Sequence, residues 1–317
     1  MARILANDGI DPIGKKLLED AGHTVETQTV PQDQLVAALQ NYDGLTVRSA
    51  TKVRKELIDA CPNLKLIGRG GVGMDNIDVD YARSKGIVVV NTPAASSLSV
   101  AELVFSHLFT GVRFLQDANR KMPVEGAVKF NDLKKAYAKG IELRGKTIGI
   151  IGFGRIGRET AAVALGLGMN VLAYDLYPFS GNITLNLTLG IKVDIPVTTV
   201  SLEEVIAKSD FISLHTPFAD QPILGAAEFA AMKNGVGVVN CSRGGTIDEP
   251  ALIEALNSGK VSFAGLDVFD NEPTPAAALL AHPKISLTPH IGASTNEAQE
   301  RIGTELANLI IDHFRKA

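Results

Sequence analysis

The run Gly152-Phe-Gly-Arg-Ile-Gly157 limits what this chain can fold into more than any other stretch. Ahead of it stands Thr147-Ile-Gly-Ile-Ile151, short, apolar and rich in isoleucine, and behind it Arg158 to Leu167 reads as a helix. Strand, glycine turn and helix is the order in which G-x-G-x-x-G holds a dinucleotide. Gly152 makes the tight turn, Gly154 admits a pyrophosphate to the backbone, and Gly157 lets the helix pack closely on the strand. The helix N-terminus then presents free N–H groups and the positive end of its dipole to the phosphates. A second strand, Asn170-Val-Leu-Ala-Tyr174, ends at Asp175, about 20 residues past the glycines, where a carboxylate accepts hydrogen bonds from the adenosine ribose hydroxyls. The same charge repels a 2′-phosphate. The cofactor read from these residues is NAD, not NADP.

The 317 residues suffice for two domains of ordinary size. A net charge of −4 with no basic tract leaves no footprint for nucleic acid. Cys61 and Cys241 stand far apart, in no metal-like spacing, so neither a disulfide framework nor a metal site is expected. Acidic residues interrupt the N-terminus before a signal-length apolar core forms, and no run reaches membrane-spanning length. The expectation is a cytoplasmic protein without a membrane partner.

Residues 1–92 alternate short apolar runs with helical patterns. Strands are expected at Arg3–Ala6, Thr24–Thr27, Gly44–Val47, Leu64–Ile67 and Ile87–Val90, and Asp11-Pro12 supplies an N-cap with proline at the first helical position. Ser99-Val-Ala-Glu102 reads as a capping box opening a helix that is apolar over much of its circumference. Asn119 to Gly140 is charged and weakly patterned, and reads as a loop. A second series follows the glycine motif, with strands at Val171–Tyr174, Phe211–Leu214, Val236–Asn240, Phe263–Leu266 and Ile285–Leu287 and a capping box at Ser201-Leu-Glu-Glu204. The last helix, opened by Ser294-Thr-Asn-Glu297, carries Ala298, Ile302, Leu306, Leu309 and Ile310 on one face and is expected to return to the first domain. Such alternation predicts an α/β protein of two doubly wound parallel-sheet domains.

Functional residues of such sheets gather beyond the carboxyl ends of the strands. Four segments occupy those places: His215-Thr-Pro217, Asn240-Cys-Ser-Arg-Gly-Gly245, Asp267-Val-Phe-Asp-Asn-Glu-Pro273 and Thr288-Pro-His-Ile-Gly-Ala293. His290 is the natural proton carrier, because imidazole donates and accepts near neutrality. Glu272 is suited to hold that ring in one tautomer, and Arg243 offers a planar fork for a carboxylate or a polarised carbonyl. Downstream of a dinucleotide motif, the three specify hydride transfer at a carbinol. His215 is a second histidine at a strand end. It is given a structural or cofactor-edge role, with Thr216 and Pro217 flanking the adenosine. In the first domain Arg48 and Arg69 follow strands and are suited to a phosphate dianion, while Gly70, Gly71, Val72 and Gly73 form a turn whose N–H groups suit a carboxylate. Asn76 is grouped with them as a substrate contact.

The set Gly152–Gly157, Val239–Gly245, Leu266–Pro273 and Pro289–Ser294 resembles the D-isomer-specific 2-hydroxyacid dehydrogenase family over nearly the whole chain. By that resemblance Arg243, Glu272 and His290 match the catalytic arginine, glutamate and histidine. Arg155, Ile156, Asp175, Thr216, Cys241, Ser242, Asp267 and the Gly292-Ala293 turn match NAD contacts, and Val72 stands where relatives carry a threonine near the cofactor. The loop between Met122 and Ile141 and the loop between Phe179 and Asn186 depart from the family pattern. The resemblance further implies a flavodoxin-like substrate domain from residues 1–96 plus 293–317 and a Rossmann NAD-binding domain at 97–292. It also implies a hinge between them and a homodimer formed through the NAD-binding domain. Val47-Arg-Ser-Ala-Thr-Lys-Val53, Gly68–Asp78 and Asn91-Thr-Pro93 are similar to members acting on a phosphorylated substrate. They imply oxidation of 3-phospho-D-glycerate at C2, giving 3-phosphohydroxypyruvate for serine biosynthesis, in a form without the serine-binding regulatory domain of longer relatives and so without serine inhibition through one. A glyoxylate or hydroxypyruvate reductase with the same catalytic set is the nearest alternative, and a dinucleotide-sensing scaffold of the corepressor kind a more distant one.

Overall fold

The computed structural model describes residues 1–218 and 220–316. They form two compact units, one built from Met1–Ser99 together with the chain from Ala293 onward, the other from Val100–Gly292. The division falls at Ser99, inside a helix, and not ahead of it at residue 96.

In the first unit the chain runs through β1 (Arg3–Ala6), α1 (Pro12–Asp20), β2 (Thr24–Glu26), α2 (Leu35–Leu39), β3 (Gly44–Val47), α3 (Lys55–Ala60), β4 (Leu66–Arg69), α4 (Val79–Ser84) and β5 (Val88–Asn91). Among the described residues its sheet has the order β2-β1-β3-β4-β5, all neighbours parallel. Asp11 caps α1 by accepting from the Ile13 N–H at 2.9 Å, with Pro12 in the first turn. The last helix of the chain packs on α1 where two glycines meet, since a Cβ at Gly14 would lie 2.5 Å from the Gly303 carbonyl oxygen.

The second unit begins in α5 (Ser97–Val112) and continues through α6 (Leu115–Ala136), β6 (Thr147–Ile151), α7 (Arg155–Gly166), β7 (Asn170–Tyr174), β8 (Ser180–Asn186), β9 (Lys192–Thr198), α8 (Leu202–Lys208), β10 (Phe211–Leu214), α9 (Ala226–Ala231), β11 (Val236–Asn240), α10 (Glu249–Ser258), β12 (Val261–Leu266), α11 (Ala277–Leu280) and β13 (Ile285–Leu287). The final helix, α12 (Asn296–Lys316), belongs to the first unit. The larger sheet runs β13-β12-β11-β10-β6-β7, again parallel among the described residues. Both sheets are therefore doubly wound, and each reverses its winding beside its first strand: between β1 and β3 in one, between β6 and β10 in the other. Ligands of such sheets bind outside the strand ends at those reversals.

Three local readings need correction. Ser99 does not cap α5, which has already begun at Ser97; its hydroxyl instead lies 2.8 Å from that of Thr295. Asn119–Gly140 is largely helix, not loop. That helix, α6, is mostly exposed and so shows no apolar stripe, and it contains Pro123. The ion pairs Asp117–Lys121 and Glu125–Lys129, at 3.0 Å each, are solvent-exposed and do little against the roughly 3 kcal/mol of an interior proline. The run is two helical segments broken at Lys129 (φ −122°, ψ 25°), and it folds back so that Phe114 stacks on Tyr137 at 5.9 Å and the Tyr137 hydroxyl reaches Asp117 at 2.8 Å. Finally, residues 180–198 form an antiparallel hairpin, β8 with β9. Its alternation puts Ile183 and Val197 inside and leaves Leu187 and Leu189 at an exposed tip.

Candidate active site

At the reversal between β6 and β10 the glycine turn has the predicted geometry. Gly152 has φ +94°, and a Cβ there would lie 2.6 Å from the His215 carbonyl oxygen. A Cβ on Gly157 would fall on the Gly152 carbonyl oxygen, so close packing of α7 on β6 requires glycine. Gly154 differs, because nothing lies within 4 Å of the position its Cβ would take. The space there is open on the side where the first turn of α7 begins without a capping side chain. Asp175, just past β7, accepts from the Phe153 N–H at 2.6 Å and the Tyr177 N–H at 2.9 Å, one on each oxygen. Those bonds fix the carboxylate and leave further lone pairs for the two ribose hydroxyls. On β10's end, Thr216 Oγ1 and His215 Nδ1 are buried without a hydrogen-bond partner among the described residues, which is what a site completed by a polar ligand looks like. These observations fit a dinucleotide: Gly152, Gly154, Arg155, Ile156 and Gly157 would hold the pyrophosphate, Asp175 the ribose, and Thr216 and Pro217 the adenosine side.

His215 is not the proton carrier. Its Nε2 lies 2.9 Å from Ser213 Oγ, and burial pushes its pKa down to about 3. Cys241 is inert for a similar reason, since burial and the neighbouring Asp267 carboxylate hold its thiol well above the usual range.

His290 and Glu272 are paired. His290 Nδ1 lies 2.8 Å from Glu272 Oε2, and the other carboxylate oxygen accepts from the Phe269 N–H at 3.1 Å. Because a carboxylate only accepts, Nδ1 carries the proton, and the neutral ring presents a lone pair at Nε2. His290 stands at φ +55°, a left-handed conformation rare outside glycine. Backbone strain of this kind persists where surrounding bonds enforce it. Here Asp267, 1% exposed, accepts from the next two N–H groups, those of Ile291 and Gly292, at 2.8 Å each. Glu272 and His290 line a cavity of about 390 Å³ with Phe269, Pro273, Leu287 and Pro289.

Arg243 does not line that cavity, but its loop is fastened to the same segment. A Cβ on Gly244 would lie 2.0 Å from the Phe269 carbonyl oxygen, and the Gly245 N–H donates to Asp270. The loop's shape depends on Asn240, which was absent from the predicted site. Its Oδ1 accepts from the Ser242 N–H at 3.0 Å and the Ser242 hydroxyl at 2.7 Å, and its amide nitrogen donates to the Arg243 carbonyl at 2.9 Å. An asparagine closing a strand of valines was the available signal.

In the first unit, Arg48 lines a cavity of about 260 Å³ at the reversal between β1 and β3, with Asp8, Asp11, Gly70 and Gln299. Asp8 accepts from the Arg48 N–H at 2.7 Å and the Thr51 N–H at 3.1 Å. Asn76 is committed to the same loop, its amide nitrogen donating to the Arg48 carbonyl at 2.9 Å and the Thr51 carbonyl at 2.7 Å. It shapes the arginine's loop. Arg69 is the last residue of β4 and not beyond it, and its guanidinium folds over Gly71, whose φ of +143° leaves room for it. The Gly70 and Gly71 N–H groups bond Val47 O at 2.9 Å and Arg69 O at 3.0 Å, which leaves Val72 and Gly73 to supply donors to an anion.

Comparison with known proteins agrees with this geometry. Residues 105–292 match the model of the D-isomer specific 2-hydroxyacid dehydrogenase NAD binding domain. The chain is 43% identical to a hydroxypyruvate reductase of Thermotoga maritima, covering 97% of each. It is 41% identical to a D-3-phosphoglycerate dehydrogenase of Rattus norvegicus over 98% of this chain but 56% of that one. The chain therefore spans little more than half the length of the Rattus norvegicus enzyme. An NAD⁺-bound 3-phosphoglycerate dehydrogenase structure from Entamoeba histolytica superposes with a TM-score of 0.77 at 27% identity, covering 99% of this chain and 95% of that one.

Proposed function

Because the chain belongs to the D-isomer specific 2-hydroxyacid dehydrogenase family, an NAD-dependent group of oxidoreductases, we propose that it oxidises 3-phospho-D-glycerate at C2 to 3-phosphohydroxypyruvate. NAD⁺ supplies the hydride acceptor. His290 Nε2 takes the hydroxyl proton, and Glu272, already bonded to Nδ1–H, stabilises the imidazolium that forms. Arg243 holds the C1 carboxylate. Arg48, with Arg69, holds the phosphate.

The observation that carries the substrate class is the place of Arg48: an arginine lining a cavity at the winding reversal of the first sheet, where such sheets bind ligands. The phosphoglycerate dehydrogenases among the relatives support the same reading. A hydroxypyruvate reductase is the second reading, favoured by full-length similarity to the Thermotoga enzyme and by Asp8 and Asp11 on the rim of the Arg48 cavity. The two separate in the variant Arg48→Ala. If Arg48 holds phosphate, KM for 3-phospho-D-glycerate rises by a factor worth about 1.5–3 kcal/mol while turnover of an unphosphorylated 2-hydroxy acid is unchanged. Equal losses on both substrates favour the reductase. We further propose that the protein is a homodimer formed through the second unit, where α6 exposes Val124, Val128 and Phe130; a monomer by sedimentation analysis would contradict this.

A further inference from the structure

His107, on α5, belongs to none of the groups discussed above, yet it is 2% exposed and polar at both ends of its ring. Its Nδ1 lies 2.9 Å from Ser286 Oγ and its Nε2 3.1 Å from Thr288 Oγ1. The Thr288 hydroxyl in turn donates to Asp267 Oδ1 at 2.6 Å. A slot exists for the ring against β12, because a Cβ on Gly265 of that strand would lie 2.5 Å from His107 Cβ.

The direction of every bond in this chain follows from its last member. Asp267 accepts from the Ile291 and Gly292 N–H groups and can only accept from Thr288. The Thr288 hydrogen is thus directed at Asp267, so its oxygen receives the hydrogen on His107 Nε2. A neutral ring with Nε2–H has a lone pair at Nδ1, which receives the Ser286 hydroxyl. Burial lowers the His107 pKa, with the Asp267 charge opposing, which agrees with a neutral ring. Hydrogen bonds aligned head to tail in a buried site polarise and strengthen one another.

We propose that His107 is a positioning residue for proton transfer: as the Nε2–H tautomer it completes a one-way chain, Ser286 to His107 to Thr288 to Asp267, that aims the Asp267 carboxylate at the Ile291 and Gly292 N–H groups and so fixes the turn on which His290 stands. This rests on His290 being the proton carrier, but not on the identity of the substrate.

Two experiments test it. The first is histidine ¹⁵N NMR on the cofactor-free protein, where His107 is expected as a neutral ring protonated at Nε2; an Nδ1–H ring or an imidazolium at pH 7 overturns the chain. The second is a kinetic cycle. His107→Leu and Thr288→Val should each lower kcat on the order of tenfold, the size of one well-placed hydrogen bond, with NADH affinity within about threefold. The double variant should lose no more than either single one, and His107→Gln, which keeps a donor toward Thr288, should recover most of the rate. Multiplicative losses, or wild-type kcat in His107→Leu, contradict the proposal. Should His107→Leu not fold, the remaining pair decides: a competent His107→Gln beside an impaired Thr288→Val supports it, and a wild-type-like Thr288→Val sinks it. If His290→Asn retains turnover, the proton-carrier reading falls first; if His290→Asn is inactive and His107→Leu is not, only this inference falls.

Discussion

The two units share one architecture, a parallel sheet that reverses its winding beside its first strand, but they hold their functional side chains differently. In the second unit the proton carrier is fixed by another side chain, Glu272 on His290, while Asn240 shapes the loop of Arg243 through its backbone carbonyl. In the first, Asp8 and Asn76 clamp the main chain around Arg48, and Arg48 itself lines a cavity. A group that moves protons must be held to a few tenths of an ångström. A group that holds a charged ligand tolerates more play, because Coulomb attraction falls slowly with distance.

The largest effect expected from this contrast is in the second unit. His290→Asn should lower turnover by roughly 10²–10⁴-fold, the usual contribution of general acid–base catalysis, while NADH titration by fluorescence shows binding intact. Wild-type-like turnover would remove the distinction between the units. A smaller effect is expected at the other end of the same sheet: Asp175→Ala should reduce the preference for NAD over NADP by roughly tenfold or more, since the 2′-phosphate no longer meets a like charge. Wild-type protein using both cofactors equally would contradict the role of Asp175.

What was legible in the sequence follows the same division. Gly152, Gly154 and Gly157 were readable by their spacing between an apolar strand and a helix, although of the three only Gly157 meets a neighbour within a few residues, and the predicted strands of both series recur because Val and Ile runs bounded by turns leave little else possible. The alignment of His290 with Glu272 was readable by chemistry. Not readable were α6, whose exposed surface carries no periodic stripe, and the hairpin of β8 and β9, whose pairing depends on a partner strand that the eye reads as loop. His107 was passed over because a histidine on an apolar helix says nothing of Ser286 and Thr288, more than 170 residues away. Arg69 was placed past its strand, when it is the strand's last residue and turns back over Gly71.

A further predicted effect concerns stability. His215 has a folded pKa of about 3 against an ordinary value of 6.5, so between those limits the unfolded chain binds a proton that the folded one does not. Its contribution is complete above pH 6.5 and declines as pH falls toward 3. His23, His107 and His282 shift in the same direction. In chemical denaturation across that window, His215→Gln should show a slope of stability on pH shallower by up to about 1.4 kcal/mol per unit. An unchanged slope would mean that the ring is protonated in the folded protein.

The central claim is that the substrate is a phosphorylated 2-hydroxy acid, recognised through Arg48. Its most direct test is the initial rate of NADH formation by wild-type protein with 3-phospho-D-glycerate and with D-glycerate, each across a range of concentrations. The account predicts kcat/KM higher for the phosphorylated acid by roughly one to two orders of magnitude, as a phosphate held by arginine implies. Equal or greater kcat/KM with D-glycerate would contradict it and assign the protein to the hydroxypyruvate reductases.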